Sequence, residues 1–142
     1  MSSIKQLSIF IENKTGRLAQ VTDILAMAQI NMQALSLADT ADFGVLRMIV
    51  DDNDKARKAL QDAGFTANTT SVIAVEVPHR PGGLNDILQM FQANELNVEY
   101  MYAFVHSRKN TAMMIIRCKD VERAVEKLTA NGFVVVSEQG LQ

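Results

Sequence analysis

The sequence has one cysteine, two prolines and no tryptophan among its 142 residues. A single cysteine, Cys118, cannot form a disulfide within the chain, so we expect a reducing compartment, the cytoplasm. No apolar run approaches the roughly 20 residues that span a bilayer, and the N-terminus lacks the layout of a signal peptide. The formal net charge is −2, without a basic patch. We therefore expect neither a membrane nor a nucleic acid among the partners.

The sequence also has few of the residue patterns that carry catalysis or hold metals. Its two histidines, His79 and His106, have no cysteine or histidine at the spacing of a metal site. No Gly-x-Ser-x-Gly motif marks a nucleophile. Asp51 and Asp52 are adjacent, so on a strand end they would face opposite ways. We therefore expect no metal, no cofactor and no catalytic residue, and a protein that is not an enzyme.

What the sequence does contain is a duplicated glycine loop. Residues 13–18 (Asn-Lys-Thr-Gly-Arg-Leu) separate an apolar strand pattern from an amphipathic helix pattern, and residues 79–84 (His-Arg-Pro-Gly-Gly-Leu) repeat the arrangement. Glycine allows a sharp turn there, and the first NH groups of the following helix have no partner inside the helix. Such NH groups favour a carboxylate or a phosphate. One such loop usually only joins two elements, whereas two in matching context favour a ligand-binding loop.

The pattern around each loop predicts the same order of elements. Apolar runs typical of strands and apolar residues at helical spacing follow one another as strand, helix, strand, strand, helix, strand in each copy. The copies lie about 66 residues apart, and Gly64-Phe65 in the first is echoed by Gly132-Phe133 in the second. We predict two tandem α+β domains, residues 1–70 and 71–142. The order is that of a split βαβ unit, with four antiparallel strands and both helices on one face.

Local signals predict where the helices begin and end. Thr15 is expected to cap the first helix, which should run from about Gly16 to Gln29, and Asp54 is expected to cap the second. Gly64 stands just past the second helix, where a left-handed residue is common. A turn is predicted over residues 107–110.

At these loops the sequence resembles the ACT domain. The first copy carries the stretch from Glu12 to Ala19 followed by Ile30-Asn31-Met32, and the second carries Arg-Pro-Gly-Gly-Leu followed by Leu96-Asn97-Val98. The resemblance covers nearly the whole chain as two ACT domains. It implies two ferredoxin-like βαββαβ domains whose sheets pair into a larger sheet. It also implies the binding of small molecules, mostly amino acids, where two such domains meet.

The resemblance further implies which residues bind the ligand, because in this family the loop after the first strand and the start of the second strand form the site. Carried over residue by residue, the first site consists of Asn13, Gly16, Arg17, Leu18, Asn31 and Met32, and the second of His79, Gly82, Gly83, Leu84, Asn97 and Val98. The first copy departs from the family pattern at Thr15, where proline is usual. The second departs at His79, where aspartate or asparagine is common. The sequence leaves open whether one of the two sites is silent.

An amino acid fits such a loop physically. The helix-start NH groups can bind its carboxylate. Asn13 and Asn31, expected to flank the Gly16 loop, each offer an amide oxygen and an NH2 to a zwitterion. Other interpretations remain open, because Asn13 can bond its own backbone in a turn, and asparagine often follows the end of a helix, as Asn31 does.

We interpret the chain as a non-catalytic regulatory module that binds a small amino acid at ACT-domain interfaces. The alternative is a regulatory subunit of a separate amino-acid biosynthetic enzyme, because the Asn-x-x-Gly-x-Leu start also resembles the acetolactate synthase small subunit. Against that, the second half keeps its own glycine loop. A homodimer is expected because each half is small and Tyr100, Tyr102 and Phe104 share one strand face.

Overall fold

The computed structural model describes residues 3–39, 42–106 and 111–138, which form two compact units. The first half is Lys5–Thr70, and the second half holds the described residues from Ser71 onward together with Ser3 and Ile4. No helix in these described ranges is long and apolar enough to cross a membrane. The turn predicted over residues 107–110 lies outside the described residues.

The first half is a sheet of four strands with two helices. Its elements are β1 (Ser3–Glu12) from Lys5 onward, α1 (Arg17–Met27), β2 (Met32–Asp39), β3 (Phe43–Val50), α2 (Asn53–Asp62) and the beginning of β4 (Thr66–Pro78). β3 pairs antiparallel with both β1 and β2, and the strand order is β2-β3-β1-β4. This is the order of a βαββαβ unit whose first and third strands lie in the centre.

The core of the first half follows from the alternation of side chains along β1. Leu7, Ile9 and Ile11 lie on one face because successive strand residues point to opposite sides, and all three are buried. They form one cluster with buried residues of β3, α1 and α2, namely Leu46, Met48, Val50, Val21, Leu25, Ala56 and Leu60. Both helices therefore cover the same face of the sheet.

The second half repeats this architecture and confirms the predicted fold class. Its elements are the rest of β4, then α3 (Gly83–Ala93), β5 (Val98–His106), β6 (Thr111–Cys118), α4 (Val121–Ala130) and β7 (Val135–Val136). β6 pairs antiparallel with β4 and β5, and β7 pairs with β4. Its core again joins both helices to alternate strand residues, including Ile73, Val75, Ile87, Phe91, Met114, Ile116, Ala124 and Leu128. Each half is thus a ferredoxin-like α+β unit.

The two predicted N-caps are wrong. α1 begins directly after Gly16, which has a left-handed backbone (φ 90°) and no side chain to cap the helix, so Thr15 is not the cap. α2 is capped by Asp52, whose carboxylate accepts a hydrogen bond from the Lys55 NH at 3.1 Å. Asp52 has the extended backbone of an N-cap, whereas Asp54 is already inside the helix.

The helices end at left-handed residues of two kinds. α2 and α4 are followed by Gly64 (φ 92°) and Gly132 (φ 82°), as predicted from the sequence for Gly64. α1 and α3 are followed instead by Gln29 (φ 59°) and Glu95 (φ 55°). A residue with a Cβ pays about 1–2 kcal/mol for this conformation. Two of the four ends therefore carry backbone strain.

We expect Gln29→Gly and Glu95→Gly each to stabilise the chain by about 0.5–1 kcal/mol. Glycine removes the strain, and its greater freedom in the unfolded chain offsets part of the gain. Urea denaturation measures the change as a higher midpoint at an unchanged m-value. Gly64→Gln, the matched opposite change, should destabilise. A lower midpoint for both glycine variants would contradict the assignment of strain to these two ends.

Candidate ligand site

The Gly16 loop is held by backbone hydrogen bonds and leaves the start of α1 without a side-chain cap. The Asn13 NH donates to the carbonyl of Asp42 at 2.9 Å, and the Lys14 NH donates to that of Glu12 at 2.9 Å. The Arg17 NH donates to the Lys14 carbonyl at 3.3 Å. The site residues predicted in this loop, Asn13, Gly16, Arg17 and Leu18, are therefore neighbours at one end of the sheet. The positive end of the helix dipole faces this loop.

The Gly82 loop has the same backbone but tighter packing. Gly82 is left-handed (φ 86°), and the Gly83 NH donates to the Arg80 carbonyl at 3.1 Å. Gly83 is buried, and a Cβ placed on it would overlap the carbonyl oxygen of Pro78. His79 is exposed, while Leu84 packs against the core of the second half. The start of α3 therefore lies directly against the end of β4.

Asn31 and Met32 lie at the other end of the first half. Met32 pairs with Val50, the last residue of β3, whereas Glu12 pairs with Phe43, the first. The eight residues of β3 separate these ends by roughly 25 Å. The Asn31 NH donates to the Asp51 carboxylate at 3.2 Å. Within its own half, Asn31 therefore does not flank the Gly16 loop, contrary to the sequence-based expectation.

Asn97 and Val98 show the same separation in the second half. Val98 pairs with Cys118 at the end of β6, whereas Pro78 pairs with Thr111 at its beginning. Asn97 is exposed and lines a cavity of about 310 Å³ with Glu95, Leu96, Glu99, Cys118, Lys119, Asp120 and Arg123. Burial raises the pKa of the Cys118 thiol above its ordinary value, which favours its protonated form.

A charged cluster stands beside the Gly16 loop. The Glu12 carboxylate contacts the Lys14 ammonium at 3.0 Å and the Arg17 guanidinium at 3.1 Å. The hydrogen bond from Lys14 and its positive charge hold the pKa of Glu12 below its ordinary value, and Arg17 adds to the effect. Arg17 also donates to the side chain of Gln20 at 3.1 Å. Exposed ion pairs of this kind add little stability.

This cluster forms part of the wall of a cavity in the first half, which we name the Glu12 cavity. Its volume is about 290 Å³. Its lining comes from the ends of β1 and α2 and the starts of α1, β3 and β4: Phe10, Ile11, Glu12, Arg17, Gln20, Phe43, Ala63, Gly64, Phe65 and Thr66. Of the predicted site residues, only Arg17 lines it. In the sequence this place is marked by the Gly64-Phe65 pair, which was used above only as evidence for the repeat and for a helix end.

No group of three or more His, Cys, Asp or Glu side chains in the described ranges is placed to hold a metal ion.

The duplicated loop, the fold of each half and its strand order identify the class of protein. The sequence matches the ACT domain pair family over residues 2–142, and the chain belongs to that family. A search of curated protein sequences gave no match.

Solved structures with the same fold include close and distant relatives. Protein BT0572 from Bacteroides thetaiotaomicron is 42% identical, with a TM-score of 0.92 over 98% of this chain and 95% of that one. The ligand-free regulatory subunit of aspartate kinase from Thermus thermophilus is 17% identical, with a TM-score of 0.66 over 93% of this chain and 94% of that one. Its counterpart from Thermus flavus is 16% identical, with a TM-score of 0.62 over 89% and 90%.

Proposed function

We propose that the chain is a non-catalytic cytoplasmic regulatory module that binds a small amino acid at an ACT-domain interface. The observation that carries the proposal is the uncapped, left-handed glycine start of α1 and α3 in a chain of the ACT domain pair family. The ligand carboxylate lies against one or both helix starts, where unpaired NH groups and the dipole favour an anion.

The proposed binding residues fall into two groups, because within each half the glycine loop and the start of the next strand lie at opposite ends of the sheet. One group belongs to the glycine loops: Asn13, Gly16, Arg17 and Leu18 in the first half and His79, Gly82, Gly83 and Leu84 in the second. The other belongs to the starts of β2 and β5: Asn31, Met32, Asn97 and Val98. Both groups can contact one ligand only where the loop end of one ACT domain meets the strand start of another, which agrees with an interface site.

The experiment that tests the proposal is a thermal-shift and calorimetric screen of the whole chain against the twenty amino acids. A ligand that binds only the folded chain raises the melting temperature with concentration. We expect at least one amino acid to do so at millimolar concentration or below. A melting curve that none of them moves would overturn the proposal.

The second candidate is a regulatory subunit of a separate amino-acid biosynthetic enzyme, such as an acetolactate synthase small subunit. What favours a subunit is that the two Thermus proteins with this fold are regulatory subunits of an aspartate kinase. Co-purification separates the candidates, because a subunit should elute with a larger enzyme and alter its activity, whereas a stand-alone module should elute alone.

We also propose that the chain is a homodimer. β2 is the outer strand of the first half, and its Leu35 and Leu37 are each about half exposed. An open strand edge with apolar side chains favours pairing with another chain. We expect Leu35→Lys/Leu37→Lys to give a monomer mass in light scattering at micromolar concentration, where the parent chain gives a dimer. Met27→Lys, at an even more exposed apolar residue on α1, is the matched control and should remain dimeric.

A further inference from the structure

The end of α4 carries the single Asn-Gly pair of the sequence, Asn131-Gly132. Asn131 is the C-cap of the helix, and Gly132 after it has a left-handed backbone (φ 82°). Both residues are exposed, and nothing lies within 4 Å of the place where a Cβ of Gly132 would stand. The pair is therefore open to water and has free space around the glycine.

Hydrogen bonds to the helix hold both residues of this pair. The side-chain NH2 of Asn131 donates to the Lys127 carbonyl at 2.8 Å, and the Gly132 NH donates to the Thr129 carbonyl at 3.1 Å. These bonds keep the side-chain amide and the following peptide nitrogen turned toward the helix. Chain segments at the ends of helices open locally at a much lower free energy than the core does. The two groups are therefore released whenever the last turn of α4 opens.

Two other helix ends provide an internal comparison. α3 ends in Asn94-Glu95 with the same geometry, because the Asn94 side chain donates to the Met90 carbonyl at 2.9 Å and Glu95 is left-handed (φ 55°). α2 ends in Ala63-Gly64, which has the left-handed glycine but no side-chain amide. Of the helix ends in the described residues, that of α4 alone combines an asparagine side chain with a following glycine.

This combination allows the side chain to react with the backbone. When the turn is open, the Gly132 nitrogen attacks Cγ of Asn131, the Cγ–Nδ2 bond breaks, and ammonia leaves with the proton of the attacking nitrogen. Water then opens the cyclic succinimide at either carbonyl and gives aspartate or isoaspartate. The net change converts an amide and water into a carboxylic acid and ammonia, without an oxidant or a reductant. Glycine favours the attack because it has no side chain to hinder it.

We infer that Asn131 is a site of spontaneous deamidation whose rate depends on the opening of the last turn of α4. The product is ionised at neutral pH, cannot donate to the Lys127 carbonyl, and places a negative charge at the negative end of the helix dipole. Isoaspartate also lengthens the backbone directly before Gly132 and Phe133, and Phe133 packs against the core of the second half. Modified chains should therefore be less stable, whether or not the chain binds a ligand.

Peptide mapping by mass spectrometry of the full chain, stored at neutral and at mildly alkaline pH, tests the inference. We expect Asn131 to be the first asparagine to convert, with both aspartate and isoaspartate as products. Conversion should be faster at the alkaline pH, because the attacking nitrogen must lose its proton. In urea, where the turn is always open, it should be about tenfold faster or more. Another asparagine that converts first, or equal rates in folded and unfolded chains, would contradict the inference.

Two variants separate the role of the glycine from that of the helix end. Glu95→Gly gives α3 the same pair as α4 and removes backbone strain, so it should fold and should make Asn94 convert, which it does not do in the parent chain over the same time. Asn131→Ala copies the Ala63-Gly64 end of α2 and should remove the modification. If Asn94 stays intact in Glu95→Gly, the following glycine does not decide the reactivity and the inference is wrong. It is also wrong if Asn131 converts fully in urea and not at all in the folded chain.

Discussion

Gly83→Ala is expected to destabilise the chain by about 2 kcal/mol or more. The added methyl group would overlap the backbone carbonyl of Pro78, which cannot rotate away as a side chain can. α3 must therefore shift from its packed position, where its residues Ile87 and Phe91 are buried in the core. The better helix propensity of alanine, about 1 kcal/mol, offsets only part of this cost. Calorimetry should record a melting temperature about 5–15 °C lower.

Arg17→Ala is the matched control for this substitution, because Arg17 occupies the same position after the first glycine loop. Its guanidinium makes only exposed contacts, so the loss should be below about 1 kcal/mol. A Gly83→Ala chain as stable as the Arg17→Ala chain would mean that the Gly82 loop relaxes freely and that its close packing is not required.

Gly16→Val is expected to weaken amino-acid binding by about a hundredfold or more, which corresponds to about 2.7 kcal/mol. Gly16 has φ of 90°, where a β-branched residue is strongly disfavoured, so the loop must change its path and the helix start must move. The NH groups and Arg17 then no longer face one ligand. Ligand-induced stabilisation in a thermal-shift titration measures the loss.

Gly132→Val provides the control for backbone strain. Gly132 has a similar left-handed conformation (φ 82°) with open space around its Cβ position, but it follows α4 in the second half. It should therefore lower the melting temperature by a similar amount while leaving the ligand-induced shift intact. Equal loss of binding in both variants would show that the lower stability of the chain, rather than a change in the Gly16 loop, weakens binding.

Most of the fold is predictable because the periodicities are explicit. Leu7, Ile9 and Ile11 alternate in the sequence and are buried on one face of β1. Ala56 and Leu60 recur at helical spacing and lie on the buried face of α2. The helix starts are less predictable. Several residues near each start could serve as a cap, and only the backbone conformation, left-handed at Gly16 and extended at Asp52, decides between them.

The candidate site is only partly predictable for a geometric reason. A helix of eleven residues places its ends about 16 Å apart, so Gly16 and Asn31, which flank α1 in the sequence, lie at opposite ends of the half. The Glu12 cavity shows the converse, because residues that are far apart in the sequence meet in its wall. Glu12 and Phe65 are 53 positions apart in the sequence and share one wall, because the end of α2 returns to the end of β1. No local pattern reports such a contact.

The close packing of Gly83 on Pro78 affects the shape of a binding curve. In the proposed function the ligand occupies one or both glycine loops, and a chain whose Gly82 loop is closed by the contact of Gly83 with Pro78 should bind one ligand, at the Gly16 loop, along a hyperbola. Any Hill coefficient above one must then arise from coupling between chains, since cooperativity requires at least two sites. The Leu35→Lys/Leu37→Lys chain should therefore bind without cooperativity even where the dimer responds steeply to its effector.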